Sequence, residues 1–546
     1  MPILPEKTPR SVRRALLARA EIALLDVRQE SRFATGHPLF AASFPLGHLE
    51  AQAAGRLPRR TAPIVLYGDD ADHAAAAAGR LAALGYTDVS LLAGGLASWA
   101  GDGGELFADV NAPSKAFGEL VAETAGTPLL AADEVAALLG SGAGTTAPGG
   151  TARAGAAAVV VVDARRFDEY AVMSIPTATS VPGGELALRV RALAPDRGTT
   201  VIVNCAGRTR SIIGAQSLIN AGLPNRVAAL RNGTIGWALA GLDLDHGQAR
   251  RAPDVAPGTA RQAEAAAWAV ADRAGVRRAG DDALGWPDDR ERTVYRFDVR
   301  TPQEYANGHR PGFRSAPGGQ LVQETDWYAP VRGAVIILDD DGGGRAAMTA
   351  SWLAQMGWDV AVAGAGQAGP AAETVTRPSP PDVALAGPAD VADWLRARQA
   401  AVVDVDTSRR FLAGHIPGAA WALRADLSRP ELRDRLGRPG RLVVTSSDGY
   451  LAAWAAADLN AAGRNAAGWP APVLALAAGT QGWARSGRPL ESGQGEMLSP
   501  ALDVYRRPYE GTGIDPDVMR AYLDWEYGLV GQLGRDGTHG FWVLTP

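Results

Sequence analysis

The sequence predicts an α/β protein of four tandem modules, each a mainly parallel sheet flanked by helices, followed by a C-terminal helical tail. Three observations carry this reading. A short β-branched run ending in Asp recurs four times: "IALLDVR" to Arg28, "VVVVDAR" to Arg165, "VYRFDVR" to Arg300 and "AVVDVD" to Asp406. Each is followed by a second apolar run and then a helix-length segment ending in Gly, as in "IVLYG…LAALGY" and "VIVNC…LINAGL". Strand-length runs that alternate with Ala-rich amphipathic segments are the pattern of parallel βαβ units.

Bulk properties agree. A chain of 546 residues is too long for one core. With 47% hydrophobic and 21% charged residues it has an ordinary globular composition. A net charge of −5 gives no reason to expect nucleic acid or an anionic membrane as partner. No apolar stretch is long enough to span a bilayer, and "ALLARA" is too short for an export signal, so the expected location is the cytoplasm. A single Cys rules out an internal disulfide and any Cys-based zinc site. The seven His show no metal-binding spacing, so neither a metal nor another cofactor is expected.

In chain order, the basic N-terminus reads as an amphipathic first helix. The modules are placed at 1–115, 125–250, 258–375 and 380–495, with the tail at 496–546. Joints are expected near "DVNAPSKAFG", "QARRAPDVAPG" and "TVTRPSPPD". Within the second module, "GSGAGTTAPGGTARAGA" is low-complexity and reads as a surface insert. A register count ties the modules together. Counting back 17 residues from Gly222 reaches Cys205, and the same count from Gly85, Gly357 and Gly463 reaches Gly68, Asp340 and Ser446. Three modules close on a Gly-rich turn with a Trp, at Trp99, Trp237 and Trp483, which reads as a core anchor. The third has "AGAGQAG" and lacks the Trp. The tail, with "DVMRAYLDWEYGLVGQL", is expected to pack on the modules and not to form a site.

The second module holds the reactive candidate. "VIVN" is a buried strand and "SIIGAQSLINAG" has helical spacing, so "CAGRTR" lies between a strand end and a helix N-terminus. Free N–H groups and the helix dipole favour an anion there and lower a thiol pKa. Gly207 is read as the residue that lets the loop curl into a nest of N–H groups. Arg208 and Arg210 add charge and forked donors suited to a sulfonate or a carboxylate. Ala206 and Thr209 complete the candidate binding loop, and Ser211 is read as a helix cap. A buried, inert Cys would have apolar neighbours, whereas Cys205 is followed by Gly, Thr, Ser and two Arg. Asp163 and Arg165 recur in modules lacking the Cys, so they are assigned a supporting role at the strand end. The acidic loops "GDDADH" and "DDDGGGR" lack ligand spacing and read as decayed versions of the Cys loop.

The ordered set "DVRQESRF" from Asp26, "GHIPGA" from Gly414, "CAGRTRS" from Cys205 and "GTIGW" from Gly233 resembles the rhodanese family. The resemblance covers about nine-tenths of the chain, as four tandem rhodanese-like modules. It implies a sulfurtransferase in which Cys205 takes a sulfane sulfur from thiosulfate or a mercaptopyruvate-like donor. The persulfide then passes that sulfur to a thiol, cyanide or an acceptor protein. It also implies that modules with Gly68, Asp340 and Ser446 are inactive, and by analogy that module one shapes the mouth of the Cys205 site. The second module reads "AVMSIPTATSVPGGEL" where the others keep His37, His309 and His415, so those histidines are assigned structural roles. Two other functions are considered. One is a binding scaffold with Cys205 as a vestige. The other is a cysteine phosphatase, which carries Cys-x5-Arg, whereas Cys205 and Arg210 make Cys-x4-Arg. No second Cys can resolve a persulfide, so the sulfur must leave to an external acceptor.

Overall fold

A computed structural model describes residues 4–140, 158–280, 290–342, 344–364, 376–461, 469, 472–510, 513 and 515–545. Most of the low-complexity insert and most of "AGAGQAG" lie outside the described residues. The predicted first helix is Pro9–Leu17, capped by Thr8 and burying Val12 and Leu16.

Four sheets are present, one for each repeat. The second runs Leu129–Leu130, Val227–Leu230, Thr200–Asn204, Val159–Asp163, Thr179–Ser180, every pair parallel. Its central strands are buried throughout, which is why they read as continuous β-branched runs instead of alternating ones. The third runs Arg277–Ala279, Asp359–Ala363, Val335–Asp339, Val294–Asp298, Arg314–Ser315. The fourth has Leu442–Thr445 and Ala401–Asp404 at its centre, and the first has Ile64–Tyr67 and Ile22–Asp26. The first sheet also takes a strand from the third repeat: Val331–Arg332 pairs antiparallel with Ile22–Ala23.

Repeated side-chain devices hold the modules. Arg28, Arg165 and Arg300 each clasp the Asp two residues earlier and reach the carbonyl eight residues later, at Gly36, Met173 and Gly308. The clasp pins the strand end to the following loop with charge-assisted bonds. His37, His309 and His415 stack on Phe33, Tyr305 and Phe411, each four residues before the His. In module two Ser174 takes that place after Tyr170, and its N–H still bonds Asp245 as His415 N–H bonds Glu491. Trp99, Trp237 and Trp483 are buried and donate Nε1–H to the carbonyl six residues on, at Glu105, Asp243 and Pro489. The anchor reading of the Trp and the structural reading of the His thus describe what these side chains do.

The modules pack by equivalent elements, two against three and one against four. Between two and three, Gly184 meets Gly318 and Gly319 so closely that a Cβ on Gly184 would lie 2.9 Å from Gly319 N. Buried Arg345 joins Glu185 of module two to Glu304 and Asp341 of module three, and Trp352 donates to Ser217 at 2.8 Å. Between one and four, Arg424 is bidentate to Glu50. Module two thus packs mainly on module three, while module one, expected by analogy to shape the mouth of the Cys205 site, reaches it at its end, where Asn111 shares a cavity with Arg210 and the helix Ala112–Ala125 begins.

Two further differences matter for the site. "DVNAPSKAFG", read as a loose joint, is largely the start of a buried helix, Ala112–Ala125. Its small residues permit close packing: a Cβ on Gly118 would lie 2.9 Å from Thr209 Cγ2, so this helix lies on the start of the Cys205 helix. The tail forms helices Pro516–Tyr527 and Leu529–Asp536. No helix among the described residues is long and apolar enough to cross a membrane.

Candidate active site

Strand Thr200–Asn204 ends directly at Cys205, and helix Thr209–Asn220 begins four residues later. The carbonyls of the intervening loop are drawn to one side. Thr234 N–H and Oγ1–H donate to Cys205 O at 2.8 and 3.0 Å, and Ile235 N–H donates to Ala206 O at 2.9 Å. With its carbonyls turned that way, the loop leaves the thiol to the helix start, where the Ser211 N–H meets it. Gly233 makes this approach possible. Its φ is +54°, and a Cβ there would lie 2.3 Å from Cys205 O.

The same construction recurs at the positions the register count picked out. Thr480 N–H bonds Ser446 O at 2.9 Å, and a Cβ on Gly479 would fall on that same oxygen. Ser446 Oγ accepts from Ala452 N–H at 3.2 Å. In module three, Asp340 accepts from Gly342 N–H at 2.9 Å and from Ala346 N–H at 2.8 Å. Cys205 interacts likewise with the hydroxyl and N–H of Ser211. Each side chain thus faces the amide six residues ahead, and in module three a carboxylate is what fills that position. Gly68 has no side chain to do so.

The structure separates the two arginines. Arg208 forks onto Glu119 at 2.7 Å through both contacts, stacks on Tyr527 and is buried. It fastens the loop to the helix Ala112–Ala125 and the tail, its donors taken by Glu119, Asn232 and Tyr527. Arg210 is bidentate to Glu169 at 2.8 and 2.9 Å. It lines a cavity of about 200 Å³ with Arg165, Glu169, Gln323, Arg409 and Arg507. Burial would raise the Glu169 carboxyl, but Arg210, with Arg165 and Arg166, holds it at about 2.

Three other loop residues also differ from expectation. Ser211 lies inside the first turn and does not cap it; its hydroxyl donates to Arg208 O at 2.8 Å and stands 3.4 Å from Cys205 Sγ. Thr209 packs on Gly118, and its Oγ1 has no hydrogen-bond partner among the described residues. Gly207 does not take a positive φ. It is small because the tail lies against it: a Cβ there would meet Glu526 Oε2 at 3.1 Å and Tyr522 Cε1 at 3.3 Å. The tail, expected only to pack on the modules, closes over the Cys205 loop. Asp163 and Arg165 form the clasp described above, and Asn204 donates to Asp163 at 2.9 Å, tying that clasp to the residue before Cys205.

Cys205 is 2% exposed. Burial pushes its thiol up, against the pull of Arg210 and of hydrogen bonding with Ser211, and the net shift is upward. The expected lowering is thus not met, because the nearest guanidinium is shared with Glu169 and the tail excludes water. A raised pKa means that thiolate accumulates only as pH rises. Alkylation of Cys205 by iodoacetamide should therefore accelerate up to and beyond the ordinary thiol value of about 8.5; a plateau reached below it would refute this. Arg210→Gln should slow alkylation further at neutral pH. By removing the bidentate partner of part-exposed Glu169, which keeps only Arg166 at 3.5 Å, it should also cost about 1 kcal/mol in a denaturant titration.

The tail contacts were missed because sequence separation hides them; the aromatic run near Tyr522 was the only signal. Gly233 was visible as part of a motif, yet its contact with the loop depends on two strands lying side by side.

Parallel α/β modules in tandem, one of them presenting a cysteine on a strand-to-helix loop, define a cysteine-loop group-transfer enzyme. The comparisons narrow that class. The Rhodanese-like domain profile matches residues 8–102, 151–240 and 387–486. A crystal structure of thiosulfate sulfurtransferase from Pseudomonas aeruginosa is 52% identical, covers 99% of this chain and 100% of its own, and superposes with a TM-score of 0.93. A crystal structure of a protein from Anabaena sp. is 28% identical over 19% of this chain and 83% of its own, TM-score 0.19. A rhodanese-related protein from Thermoplasma volcanium is 20% identical over 20% of this chain and 97% of its own, TM-score 0.17. No curated protein matches. The chain belongs to the rhodanese family and is a sulfurtransferase. The profile does not reach module three, whose sheet and Asp340 contacts place it with the others.

Proposed function

We propose that Cys205 carries a sulfane sulfur from thiosulfate, or from a mercaptopyruvate-like donor, to a thiol or cyanide acceptor. In the first step the Cys205 thiolate attacks the outer sulfur of thiosulfate. A new S–S bond forms, the donor's S–S bond breaks, and sulfite leaves with the bonding electron pair. In the second, cyanide attacks the outer sulfur of the persulfide, forming a C–S bond and restoring the thiolate as thiocyanate leaves. A thiol acceptor does the same as its thiolate. Dividing the transfer in this way replaces one hard step by two easier ones.

The observation that carries this reading is the anion-holding loop. The position of Cys205 is filled in module three by a carboxylate that accepts two backbone N–H bonds. A thiolate or persulfide at Cys205 is an anion in the same place, held by the same kind of donors. Arg210, at the cavity wall, suits the oxyanion of the donor. The Pseudomonas aeruginosa neighbour, named for thiosulfate, supports that donor first. Acceptor and site of action in the cell follow the same proposal: a small thiol, cyanide or an acceptor protein, in the cytoplasm.

Incubation with thiosulfate should add one sulfur atom to the intact protein, on Cys205, and cyanide should remove it as thiocyanate. An unchanged mass with both thiosulfate and mercaptopyruvate would overturn the proposal. An aryl phosphate should be left intact.

A further inference from the structure

The C-terminal helix Pro516–Tyr527 places a buried carboxyl against the catalytic loop. Glu526 is 1% exposed. Its Oε1 accepts from Tyr522 Oη at 2.7 Å, while Oε2 has no hydrogen-bond partner among the described residues. That free oxygen faces the loop, 3.1 Å from where a Cβ on Gly207 would stand. The helix is held in place: Tyr527 Oη meets Arg208 and Asn232 at 2.8 and 2.9 Å, and Tyr522 and Leu523 pack on Ile235, whose N–H bonds Ala206 O.

An unpartnered oxygen against the Cys205 loop, close enough for its charge to act on the thiol, has two states with opposite effects. Ionised, it repels both the thiolate and an incoming oxyanion. Neutral, it offers an O–H donor to the same oxyanion. Burial raises this carboxyl to about 7. Lys115 and Arg208 oppose the rise, Glu119 adds to it, and the hydrogen bond from Tyr522 lowers it.

We propose that neutral Glu526 is a further catalytic residue, donating its Oε2–H to the oxyanion of the sulfur donor at Cys205. This rests on the persulfide reading above. Sulfur transfer then requires Cys205 ionised and Glu526 protonated. With the thiol the weaker acid of the two, the rate of persulfide formation rises with pH and levels off once Glu526 ionises.

The test uses the full chain, thiosulfate as probe and intact mass after rapid quench, across pH. Glu526→Gln keeps a neutral donor that cannot ionise. It should match wild type at acidic pH and outrun it above neutrality by about tenfold for each pH unit past the carboxyl's pKa. Glu526→Leu loses the donor and should be slower than Glu526→Gln at every pH. Circular dichroism and thermal melts check that both variants fold. Iodoacetamide has no oxyanion, so alkylation of Glu526→Gln should show little of the gain. Equal gains with both reagents, equal rates for Gln and Leu, or a Gln profile that follows wild type would each overturn the proposal while leaving the persulfide reading intact. No added sulfur on wild type at any pH would overturn both.

Discussion

Cys205→Ser should abolish sulfur transfer, by at least about a thousandfold, and leave the fold unchanged. No other thiol exists in the chain to take over, and an alcohol at this position is neither ionised near neutrality nor able to form a persulfide. Module four shows that Ser is accommodated there. Ser446 occupies the equivalent position, bonds Ala452 N–H and Thr480 N–H through side chain and backbone, and its loop closes in the same way. Steady-state thiocyanate formation and a thermal melt check the two halves of this expectation. Retained transfer would remove Cys205 from the reaction, whereas a lost fold would show that the thiol contributes to packing beyond what its serine counterpart does.

Gly233→Ala should be the most damaging single-methyl change near the site. The new Cβ would overlap Cys205 O, and the residue would have to keep a φ of +54°. Left-handed backbone and a clash against main chain together amount to a loss of about 3 kcal/mol or more. Relief by moving the loop would rotate the Cys205 peptide, so kcat should fall along with stability. Gly241→Ala provides the comparison. It also has positive φ, +73°, but nothing stands within 4 Å of the new Cβ, so only the conformational cost of about 1 kcal/mol remains. Urea titrations of the two variants measure the difference. Equal losses would mean that the contact with the Cys205 loop carries no weight.

Much of the site was legible because it repeats. The clasp at Asp163 and Arg165, the anchor Trp237 and the loop between strand and helix are local. Each is fixed by residues fewer than about ten positions apart, or by a strand pair that four copies of the pattern make plain. Reading Gly68, Asp340 and Ser446 as equivalents of Cys205 needed only counting, and for Asp340 and Ser446 the hydrogen bonds to the residue six ahead match it.

Charge partners were not legible. Arg208 and Arg210 look alike in the sequence, yet one is consumed by Glu119 on a helix mistaken for a joint and the other by Glu169 at the cavity wall. Gly207 reads in the sequence as the residue that lets the loop curl into a nest, and it is small because a helix more than 300 residues away lies on it. Nor could composition say that burial would raise the thiol.

By itself, then, the sequence determined the fold class, the repeat and the one position where sulfur chemistry is possible, because strand and helix periodicity, turns and a nucleophile are written in neighbouring residues. Only the tertiary structure decided which arginine faces the cavity, which module stands beside the site and that the tail seals it. Those outcomes depend on which buried charge finds which partner across long separations, and desolvation makes each such pairing decisive.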